Sequence, residues 1–465
     1  MRDVVVVGGG LTGLACGHAL RRGGADVVVL EASTRPGGVV GTLEVDGFRF
    51  ETGPNTVQAG SAEFRHLCDE LGLAERLTVS KDDARTRWLY FRGRLRAMPD
   101  GPRSLLTTDL LSLGAKLRLC TEPLRRFRPP AAGAPEPTFA QVLDERLGPE
   151  PTALFAGAFV RGIYAGDHRR LGARSAFPRL WRMLVEHGGI VRGLRASRRR
   201  APAPLPGPQV SAMRLLSLPG GLGELIDAAA ADLGGALQLG FAAASVERDA
   251  EGWRVQAADG RSESARQIVL ALPADCTATL LAPHLAAADL AFLEQLPHSS
   301  VRLAHLGFAP GALDLPRGFG YLVPPSEDGP DAPRTLGTIF VSNLFADRAP
   351  AGGAAISSFY ALDQTRDLSD EELSDLARAD LARALGLAVA PRPAVARSVT
   401  WPHAIPQYEP EHDRRVRDLE ERVGVAAPGL HLAGSYTRGV SVEQVVARGR
   451  GIARALLAAD GRTNP

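Results

Sequence analysis

The chain has 465 residues, which is longer than one hydrophobic core usually spans, so we expect two or three domains. Hydrophobic residues make up 45% and charged residues 23%, which is typical of a soluble globular protein and excludes a disordered or fibrous one. The four cysteines form no Cys-x-x-Cys pair, so neither a zinc site nor a disulfide framework is indicated. With no secretory core and no apolar run of about 18 residues, we predict a cytoplasmic protein.

The net charge is only +2, but the basic residues are concentrated in one part of the chain. Residues 81–210 contain 24 basic and 11 acidic side chains (net +13), whereas the remainder contains 30 basic and 41 acidic ones (net −11). A basic region in an otherwise acidic chain predicts a negatively charged partner. Anionic lipid headgroups, a carboxylate-bearing substrate and nucleic acid all fit that description.

The N-terminal segment has the pattern of a strand, a glycine turn, a helix and a second strand. Residues 2–7 and 27–30 are β-branched runs typical of buried parallel strands. Between them, apolar residues recur at helical spacing from Leu11 until Gly23 ends the helix. Glu31 follows the second strand directly, 18 residues after Gly13.

The glycines Gly8, Gly10 and Gly13 have the spacing Gly-x-Gly-x-x-Gly at the junction of the first strand and helix. This spacing allows a tight turn, a close approach of a pyrophosphate and close packing of the helix on the strand. The helix N-terminus offers unpaired N–H groups to the phosphates, and Glu31 can accept hydrogen bonds from ribose hydroxyls. The segment therefore predicts a dinucleotide-binding unit.

The rest of the chain alternates between helical and strand-like stretches. Residues 105–205 are predicted to be mostly helical, with breaks at the prolines, and residues 195–208 are predicted to be a Pro- and Arg-rich linker. The segments predicted to be strands are 245–272, 301–308, 319–323 and 335–345. The segments predicted to be further helices are 370–386 and 440–458.

Two further segments indicate that the dinucleotide is FAD. Arg35 and the pair Gly37–Gly38 follow Glu31 closely, and residues 429–444 (GLHLAGSYTRGVSVEQ) predict a strand, a glycine-marked turn and a helix that starts at Ser441 or Val442. Both segments resemble flavoproteins of the amine oxidase and porphyrinogen oxidase group. In that group the second helix N-terminus approaches the flavin, where its dipole stabilises negative charge on the reduced ring.

The whole chain, from Val4 to about Leu457, is similar to the FAD-dependent protoporphyrinogen and coproporphyrinogen oxidases. The segments that carry this resemblance are 50–60, 163–180, 186–193, 217–234, 318–327 (GFGYLVPPSE), 336–345 (LGTIFVSNLF) and 404–412. Amine oxidases and phytoene desaturases share the first and last FAD motifs, so GFGYLVPPSE and LGTIFVSNLF are the specific part. The chain departs from many relatives in having Gly434–Ser435 for Gly-Asn and VSVEQVV at 440–446 for a segment with Gly and Cys.

The resemblance implies an α/β fold of three interleaved domains. A Rossmann-like FAD-binding domain would comprise residues 1–85, 210–295 and 400–465. A mixed-sheet substrate-binding domain would comprise 296–399 with parts of 40–60. A helical insertion at 90–205 would contact the membrane, and the basic region found above overlaps it.

The resemblance also implies site residues, although ordinary core packing remains an alternative for Val246, Trp401 and the apolar wall. Val246 would offer backbone atoms to adenine. Arg87 would bind a substrate propionate, with a neighbouring arginine or none as the alternatives. The implied cofactor-binding residues are Gly8, Gly9, Gly10, Leu11, Thr12, Gly13, Glu31, Ala32, Arg35, Gly38, Val39, Gly53, Pro54, Asn55, Thr56, Val246, Trp401, Gly434, Val440, Ser441 and Val442. The substrate-binding candidates are Arg87, Ile163, Phe319, Gly320 and Leu322. We assign no metal ligand and no catalytic acid or base.

The implied activity is the oxygen-dependent conversion of protoporphyrinogen IX to protoporphyrin IX in heme biosynthesis, through three hydride transfers to the flavin, with hydrogen peroxide as product. The implied partners are the porphyrinogen, dioxygen and an anionic membrane surface on the cytoplasmic side, without nucleic acid, and a homodimer is left open. The alternatives are coproporphyrinogen III oxidation, another flavin oxidase such as an amine oxidase, and a non-catalytic porphyrin carrier that retains FAD.

Overall fold

The computed structural model describes residues 1–131, 133–199, 204–329 and 331–462. The strands are β1 (Arg2–Val7), β2 (Val27–Leu30), β3 (Thr42–Val45), β4 (Phe48–Glu51), β5 (Val57–Gln58), β6 (Thr78–Val79), β7 (Trp88–Phe91), β8 (Arg94–Ala97), β9 (Leu215–Ser217), β10 (Leu237–Gln238), β11 (Ala243–Arg248), β12 (Trp253–Ala257), β13 (Ser262–Leu270), β14 (His298–Phe308), β15 (Gly320–Leu322), β16 (Gly337–Ile339), β17 (Ala354–Ala361), β18 (Val395–Pro406) and β19 (Leu430–Leu432).

The α-helices are α1 (Leu11–Arg22), α2 (Ala62–Glu70), α3 (Pro102–Thr107), α4 (Leu113–Cys120), α5 (Phe139–Arg146), α6 (Pro149–Pro151), α7 (Gly157–Tyr164), α8 (Ala173–Ala176), α9 (Pro178–His187), α10 (Ile190–Arg199), α11 (Gly223–Leu233), α12 (Ala274–Leu281), α13 (Ala287–Glu294), α14 (Val341–Leu344), α15 (Asp370–Leu385), α16 (His412–Ala426), α17 (Ser435–Arg438) and α18 (Val442–Ala459). A π-helical turn, Thr152–Ala156, joins α6 to α7. The 3-10 turns are Ala74–Arg76, Asp82–Arg85, Glu122–Leu124, Gly234–Ala236, Pro325–Glu327, Ala346–Arg348 and Leu362–Gln364.

The first sheet has the strand order β10-β2-β1-β13-β12-β11, with β19 added beside β13. The strands β10, β2, β1, β13 and β19 are parallel to one another, whereas β11, β12 and β13 form an antiparallel meander. Along β1, Val4 and Val6 belong to the core on one face, with α1, α11 and α18, and Val5 and Val7 to the core on the other, with α12, α13 and α16. Helices thus cover both faces, which explains why β1 is a continuous valine run rather than an alternating one.

The carboxyl ends of the parallel strands meet at one edge of this sheet. Gly8 follows β1, Glu31 follows β2, and Gly434 follows β19 after one residue. A Cβ atom added to Gly8 would lie 2.4 Å from the carbonyl oxygen of Ala271, and one added to Gly434 would lie 2.1 Å from that of Leu272. In open α/β sheets this edge is where ligands bind, so three distant parts of the chain border one crevice.

The second sheet has the strand order β18-β14-β17-β16-β15-β7-β8. All its pairs are antiparallel except β15 with β7. The helix α15 covers one face through Leu373, Ala377 and Leu381. The β3–β4 hairpin packs against this sheet through Phe48 and Phe50, so residues near 40–60 join the second sheet to the first.

Several predicted boundaries differ from the structure. The hairpin β7–β8 belongs to the second sheet, so the helical region starts at α3 rather than at residue 90, and β18 runs past residue 399 to Pro406. The hairpin was missed because its strands have only four residues each and its turn is formed by Arg92 and Gly93, both with positive φ.

Two segments have a secondary structure that differs from the predicted one. The helix α10 continues to Arg199, so the first five residues of the predicted linker 195–208 are helical, and residues 200–203 lie outside the described residues. The strand predicted at 335–345 ends at Ile339 and is followed by the short helix α14. Apolar periodicity alone does not separate a short buried strand from a single helical turn, and this accounts for the second error.

Candidate functional site

The glycine turn between β1 and α1 depends on two close backbone contacts. Gly8 has φ +108° and donates its N–H to the carbonyl oxygen of Leu30 at 2.7 Å. A Cβ atom on Gly13 would lie 1.9 Å from the carbonyl oxygen of Gly8, so any larger residue there would push α1 away from the turn. These two glycines set the position of the helix N-terminus.

Gly10 has a different environment from its neighbours. It is the N-cap of α1 with φ −67°, and a Cβ atom added to it would meet no protein atom within 4 Å. The space in front of the α1 N-terminus is therefore open, and the first-turn N–H groups of Leu11 and Thr12 border it. This is the geometry in which a helix N-terminus binds a phosphate.

Glu31 lies beside this open space. Its carboxylate accepts hydrogen bonds from the N–H of Gly9 at 2.7 Å and from the N–H and hydroxyl of Ser33 at 2.9 and 2.6 Å. These donors hold the side chain against the glycine turn, next to Ala32. A carboxylate has about four lone-pair positions, so acceptor capacity remains for ribose hydroxyls.

Arg35 is hydrogen-bonded to the backbone of the second glycine turn. Its guanidinium donates to the carbonyl oxygens of Gly38 at 2.8 Å and Val40 at 3.3 Å. Gly37 in turn donates its N–H to the carbonyl oxygen of Gly9 at 2.8 Å. The structure therefore places Arg35 in a supporting role, in which it fixes the Gly38–Val39 backbone beside the first turn.

The segment Gly53–Thr56 is brought to the same edge by three contacts. A Cβ atom on Gly53 would lie 2.4 Å from the carbonyl oxygen of Val39, to which the Thr52 hydroxyl donates at 2.9 Å. The indole N–H of Trp401 donates to the carbonyl oxygen of Thr52 at 2.7 Å. Trp401 thus ties the long strand β18 of the second sheet to the turn that lies over the crevice.

Asn55, between Pro54 and Thr56, contains a buried acceptor that has no partner in the structure. Its side chain is 9% exposed, its amide nitrogen donates to the carbonyl oxygen of Gly53 at 3.0 Å, and its Oδ1 accepts no hydrogen bond from the described residues. Burial of an unsatisfied oxygen costs about 1–3 kcal/mol. A bound group with an N–H or O–H donor at this position would remove that cost.

A second helix N-terminus faces the crevice from the C-terminal part of the chain. Ser441 caps α18, since its hydroxyl accepts from the N–H of Gln444 at 3.3 Å while Gln444 Oε1 accepts from the N–H of Ser441 at 3.2 Å. A Cβ atom on Gly449 would lie 2.3 Å from the carbonyl oxygen of Thr12. Gly449 is seven residues after the first residue of α18, so the N-termini of α1 and α18 are separated by roughly 10 Å along α18. Val440 and Val442 flank Ser441 at the N-terminus of α18.

Val246, whose backbone was predicted to contact adenine, is a buried residue of β11. Val246 is 1% exposed, and its carbonyl oxygen accepts a hydrogen bond from His284 Nε2 at 2.8 Å. The backbone of Gly240 and Phe241 lies beside Glu31, because their N–H groups donate to the carbonyl oxygens of Ser33 and Glu31 at 3.0 and 2.8 Å. Residues 240–243 thus lead from Glu31 into β11, the strand that contains Val246.

Two of the predicted substrate residues are in contact. The guanidinium carbon of Arg87 lies 5.8 Å from the centroid of the Phe319 ring, and the Phe319 N–H donates to the carbonyl oxygen of Thr86 at 2.8 Å. Arg87 is exposed and forms no ion pair with any residue that the structure describes. It is therefore a cation over an aromatic surface with its hydrogen-bonding capacity unused.

The other three substrate candidates belong to β15 and α7. A Cβ atom on Gly320 would lie 2.1 Å from the carbonyl oxygen of Thr338, so this glycine serves the close pairing of β15 with β16. A Cβ atom on Gly162 would lie 2.2 Å from Leu322 Cδ2, so α7 sits directly on Leu322. Ile163, the next residue of α7, is 52% exposed. Leu322 and α7 therefore lie at one end of β15, whereas Phe319 lies beside Arg87 at the other end.

A buried ion pair close to the Gly53 turn was not predicted from the sequence. Glu51 is 1% exposed, accepts from the Thr42 hydroxyl at 2.8 Å and from the Leu222 N–H at 3.0 Å, and lies 3.5 Å from a guanidinium nitrogen of Arg348. Burial raises the pKa of Glu51 to about 7, while Arg348 acts in the opposite direction. Glu51 belongs to the segment 50–60 noted above, but no local signal connects it with a residue almost 300 positions away.

Comparisons with known proteins agree with this geometry. Residues 11–457 match the model of a family described as flavin containing amine oxidoreductase. The chain is 31% identical to the chloroplastic protoporphyrinogen oxidase of Oryza sativa subsp. japonica, over 96% of this chain and 86% of that protein. It is 32% identical to the protoporphyrinogen oxidase of Homo sapiens, over 98% of both chains.

The solved structures show the same fold at lower identity. One is the crystal structure of a protein from Exiguobacterium sp. 255-15 that has been assigned as a protoporphyrinogen oxidase. It has a TM-score of 0.83 and 22% identity over 98% of this chain and 99% of that chain. Cyclohexylamine oxidase from Brevibacterium oxydans IH-35A has a TM-score of 0.68 and 17% identity over 99% of this chain and 100% of that chain.

The chain belongs to the flavin containing amine oxidoreductase family. The family match and the full-length relatives confirm the predicted flavoprotein fold and FAD as the cofactor. The residues present fit that group, because the open space at Gly10 admits a pyrophosphate and the unpaired Asn55 Oδ1 offers an acceptor. The protein is an FAD-dependent oxidoreductase.

Replacement of Gly10 by alanine tests the pyrophosphate position directly. The new methyl group meets no protein atom and the backbone has negative φ, so we expect a folded protein whose FAD affinity falls by about tenfold or more, which is about 1.4 kcal/mol. The measurement is titration of the apoprotein with FAD, with thermal unfolding as the check on folding.

Gly451→Ala is the matched control, because Gly451 in α18 also has open space around its Cβ position. The alanine should leave FAD affinity unchanged and increase helix stability by up to about 1 kcal/mol. Equal FAD affinity in Gly10→Ala and Gly451→Ala would show that the space in front of α1 does not hold the pyrophosphate.

Proposed function

We propose that this protein oxidises protoporphyrinogen IX to protoporphyrin IX with dioxygen as the final acceptor. The observation that carries the proposal is similarity over nearly the whole chain to protoporphyrinogen oxidases from organisms as distant as rice and human. Bound FAD supplies the hydride-accepting chemistry and returns the electrons to dioxygen. The residues of the chain bind, orient and shield the substrate.

Arg87 is the residue that we propose to bind a propionate of the substrate. A guanidinium without a carboxylate partner, held at 5.8 Å from the Phe319 centroid, can form two parallel hydrogen bonds to a carboxylate while the adjacent ring contacts an apolar macrocycle. Leu322 and Ile163 would supply further apolar surface where α7 meets β15. Burial of the flat substrate between such surfaces would hold it in one orientation and exclude water.

The charges around Arg87 favour protoporphyrinogen, with two propionates, over coproporphyrinogen, with four. Two arginines near Arg87 are already paired, since Arg85 lies 3.0 Å from Asp82 and Arg317 lies 3.8 Å from Asp83. A substrate with four carboxylates would have to break some of these pairs. Coproporphyrinogen III is therefore the second candidate and not the first.

The flavin contacts follow from the crevice described above. We propose that the pyrophosphate binds at Gly8–Gly13, that the ribose hydroxyls bind Glu31, and that Val39, the Gly53–Thr56 turn, Trp401 and Gly434 with Val440–Val442 surround the flavin. For the adenine we propose backbone groups of Val246, with residues 240–243 beside Glu31 as further candidates. Asn55 Oδ1 would accept a hydrogen bond from the flavin edge, which would satisfy its buried lone pairs.

We also propose a contact between the helical region and an anionic membrane surface. Apolar side chains stand out from α3, α4 and the following turn: Leu106, Leu113, Leu117 and Leu124 are 59%, 83%, 66% and 81% exposed. Basic side chains, Arg103 and Lys116 among them, lie in the same two helices. No helix of the described residues is both long and apolar enough to cross a bilayer.

Anaerobic mixing of the purified holoenzyme with protoporphyrinogen IX tests the proposed function. We expect the visible absorbance of the flavin to bleach within seconds and to return when air is admitted, with porphyrin fluorescence and peroxide appearing together. Coproporphyrinogen III and putrescine serve as competing substrates in the same apparatus. Bleaching by putrescine alone, or by no porphyrinogen, would exclude the proposal while leaving the flavoprotein assignment intact.

Replacement of Arg87 by alanine should weaken substrate capture. Loss of a charge-assisted hydrogen bond of about 1.5–3 kcal/mol predicts a KM that rises by roughly tenfold to a hundredfold, with unchanged FAD affinity. Arg85→Ala is the matched control, because Arg85 is an exposed arginine that pairs with Asp82. A KM in Arg87→Ala that equals that of Arg85→Ala would remove Arg87 from the substrate site.

Sedimentation with lipid vesicles tests the membrane contact. The double variant Leu113→Glu, Leu117→Glu should bind vesicles that contain phosphatidylserine at least tenfold more weakly than the wild type, since each leucine buried in lipid contributes about 1.5–3 kcal/mol. Val425→Glu is the control, because Val425 is 84% exposed in α16, outside the helical region. Equal losses in both proteins, or no binding by the wild type, would contradict the proposal.

A further inference from the structure

Tyr408 occupies an unusual position beside the flavin crevice. Its hydroxyl donates to the carbonyl oxygen of Ser435 and accepts the N–H of Gly439 at 2.8 Å. Ser435 is the first residue of α17 and Gly439 is its C-cap, so the two residues are four positions apart. In an uninterrupted α-helix that N–H would donate directly to that carbonyl oxygen. The tyrosine hydroxyl is therefore inserted into the missing hydrogen bond at the end of α17.

The insertion determines where the chain goes next. A side chain that enters the hydrogen-bond ladder of a helix holds the carbonyl and the N–H apart and ends or bends the helix. Gly439 then adopts φ +124°, and the chain turns through Val440 and Ser441 into α18. A Cβ atom on Gly439 would lie 2.2 Å from the side chain of Gln444, so the turn has little freedom to adjust.

Tyr408 is itself held rigidly. Its ring stacks on His412 with centroids 4.1 Å apart and planes 10° apart, and His412 Nε2 donates to the carbonyl oxygen of Tyr436 at 2.7 Å. The Tyr408 carbonyl oxygen accepts the N–H of Gly172 at 2.8 Å. Burial raises the pKa of the Tyr408 phenol and lowers that of His412 to about 4, so both rings stay neutral and keep their donor hydrogens near neutral pH.

We infer that Tyr408 is a positioning residue for the flavin: its hydroxyl spaces Ser435 from Gly439 and so sets the distance of Val440–Val442 from the cofactor. The inference rests on the proposal that these three residues border the flavin. Without the hydroxyl, the Gly439 N–H can donate directly to the Ser435 carbonyl oxygen. The nitrogen and the oxygen would then be about 3 Å apart, whereas two hydrogen bonds in series now separate them. The start of α18 would then shift relative to the flavin.

Tyr408→Phe tests the inference, because it removes one oxygen atom and retains the stacked ring. We expect the variant to fold and its FAD Kd to rise by about tenfold. The visible absorption bands of the bound flavin should change in position or shape, since the environment of the ring changes. A crystal structure of the variant should show Ser435 O and Gly439 N at hydrogen-bond distance.

Tyr90→Phe is the control, because Tyr90 is a buried tyrosine of the second sheet whose hydroxyl forms no hydrogen bond with the described residues. It should bind FAD with wild-type affinity and spectrum. Site-specific p-aminophenylalanine at position 408 is the rescue variant, since its amino group can still donate to Ser435. It should recover part of the lost affinity, and it serves as the test if Tyr408→Phe does not fold.

A folded Tyr408→Phe protein with the Kd and flavin spectrum of the wild type would overturn the inference. So would loss of FAD affinity in Tyr90→Phe of equal size, because the effect would then reflect general destabilisation. None of these measurements requires a porphyrinogen. If the wild type fails to oxidise porphyrinogens, the proposed function falls, and the role of Tyr408 is still decided by FAD affinity and spectrum.

Discussion

The structure depends on backbone contacts too close to admit a side chain, made where the strands of the first sheet end. Gly13 lies against Gly8, Gly434 lies against Leu272, and Gly449 lies against Thr12, in each case with an added Cβ atom less than 2.5 Å from a carbonyl oxygen. These contacts draw α1 and α18 together so that two helix N-termini border one crevice. Helix dipoles act over only the first turn, so this closeness is needed for both ends to affect one bound molecule.

The same crevice is joined to the second sheet by a few polar contacts at the end of the β3–β4 hairpin. The indole N–H of Trp401 donates to the carbonyl oxygen of Thr52, and the preceding residue, Glu51, forms a buried ion pair with Arg348. A buried ion pair contributes little net stability, because desolvation of both charges offsets their attraction. Its donors come from the segments near Thr42, Leu222 and Arg348, so its main effect is to specify one arrangement of these segments around the Gly53 turn.

The sequence was sufficient where the signal is local and insufficient where a contact spans the chain. The Gly8–Glu31 unit and the cap at Ser441 were predicted because strand, turn and helix patterns adjoin there. The supporting role of Arg35, the pair of Glu51 with Arg348 and the insertion of Tyr408 into α17 could not be predicted, since each depends on which backbone groups tertiary packing places nearby.

The ion pairs in the structure also change the interpretation of the excess positive charge in the helical region. Several of its arginines pair with acids outside residues 81–210: Arg161 with Asp328, Arg170 with Glu409, and Arg174 with Asp413. These cations attach the helical region to the rest of the fold and are not free to meet lipid headgroups. The remaining exposed charge near α3 and α4 contributes about 1 kcal/mol per residue at an anionic surface and is screened by salt. At the proposed membrane contact, burial of the exposed leucines would therefore provide most of the affinity, and the charges would select an anionic surface.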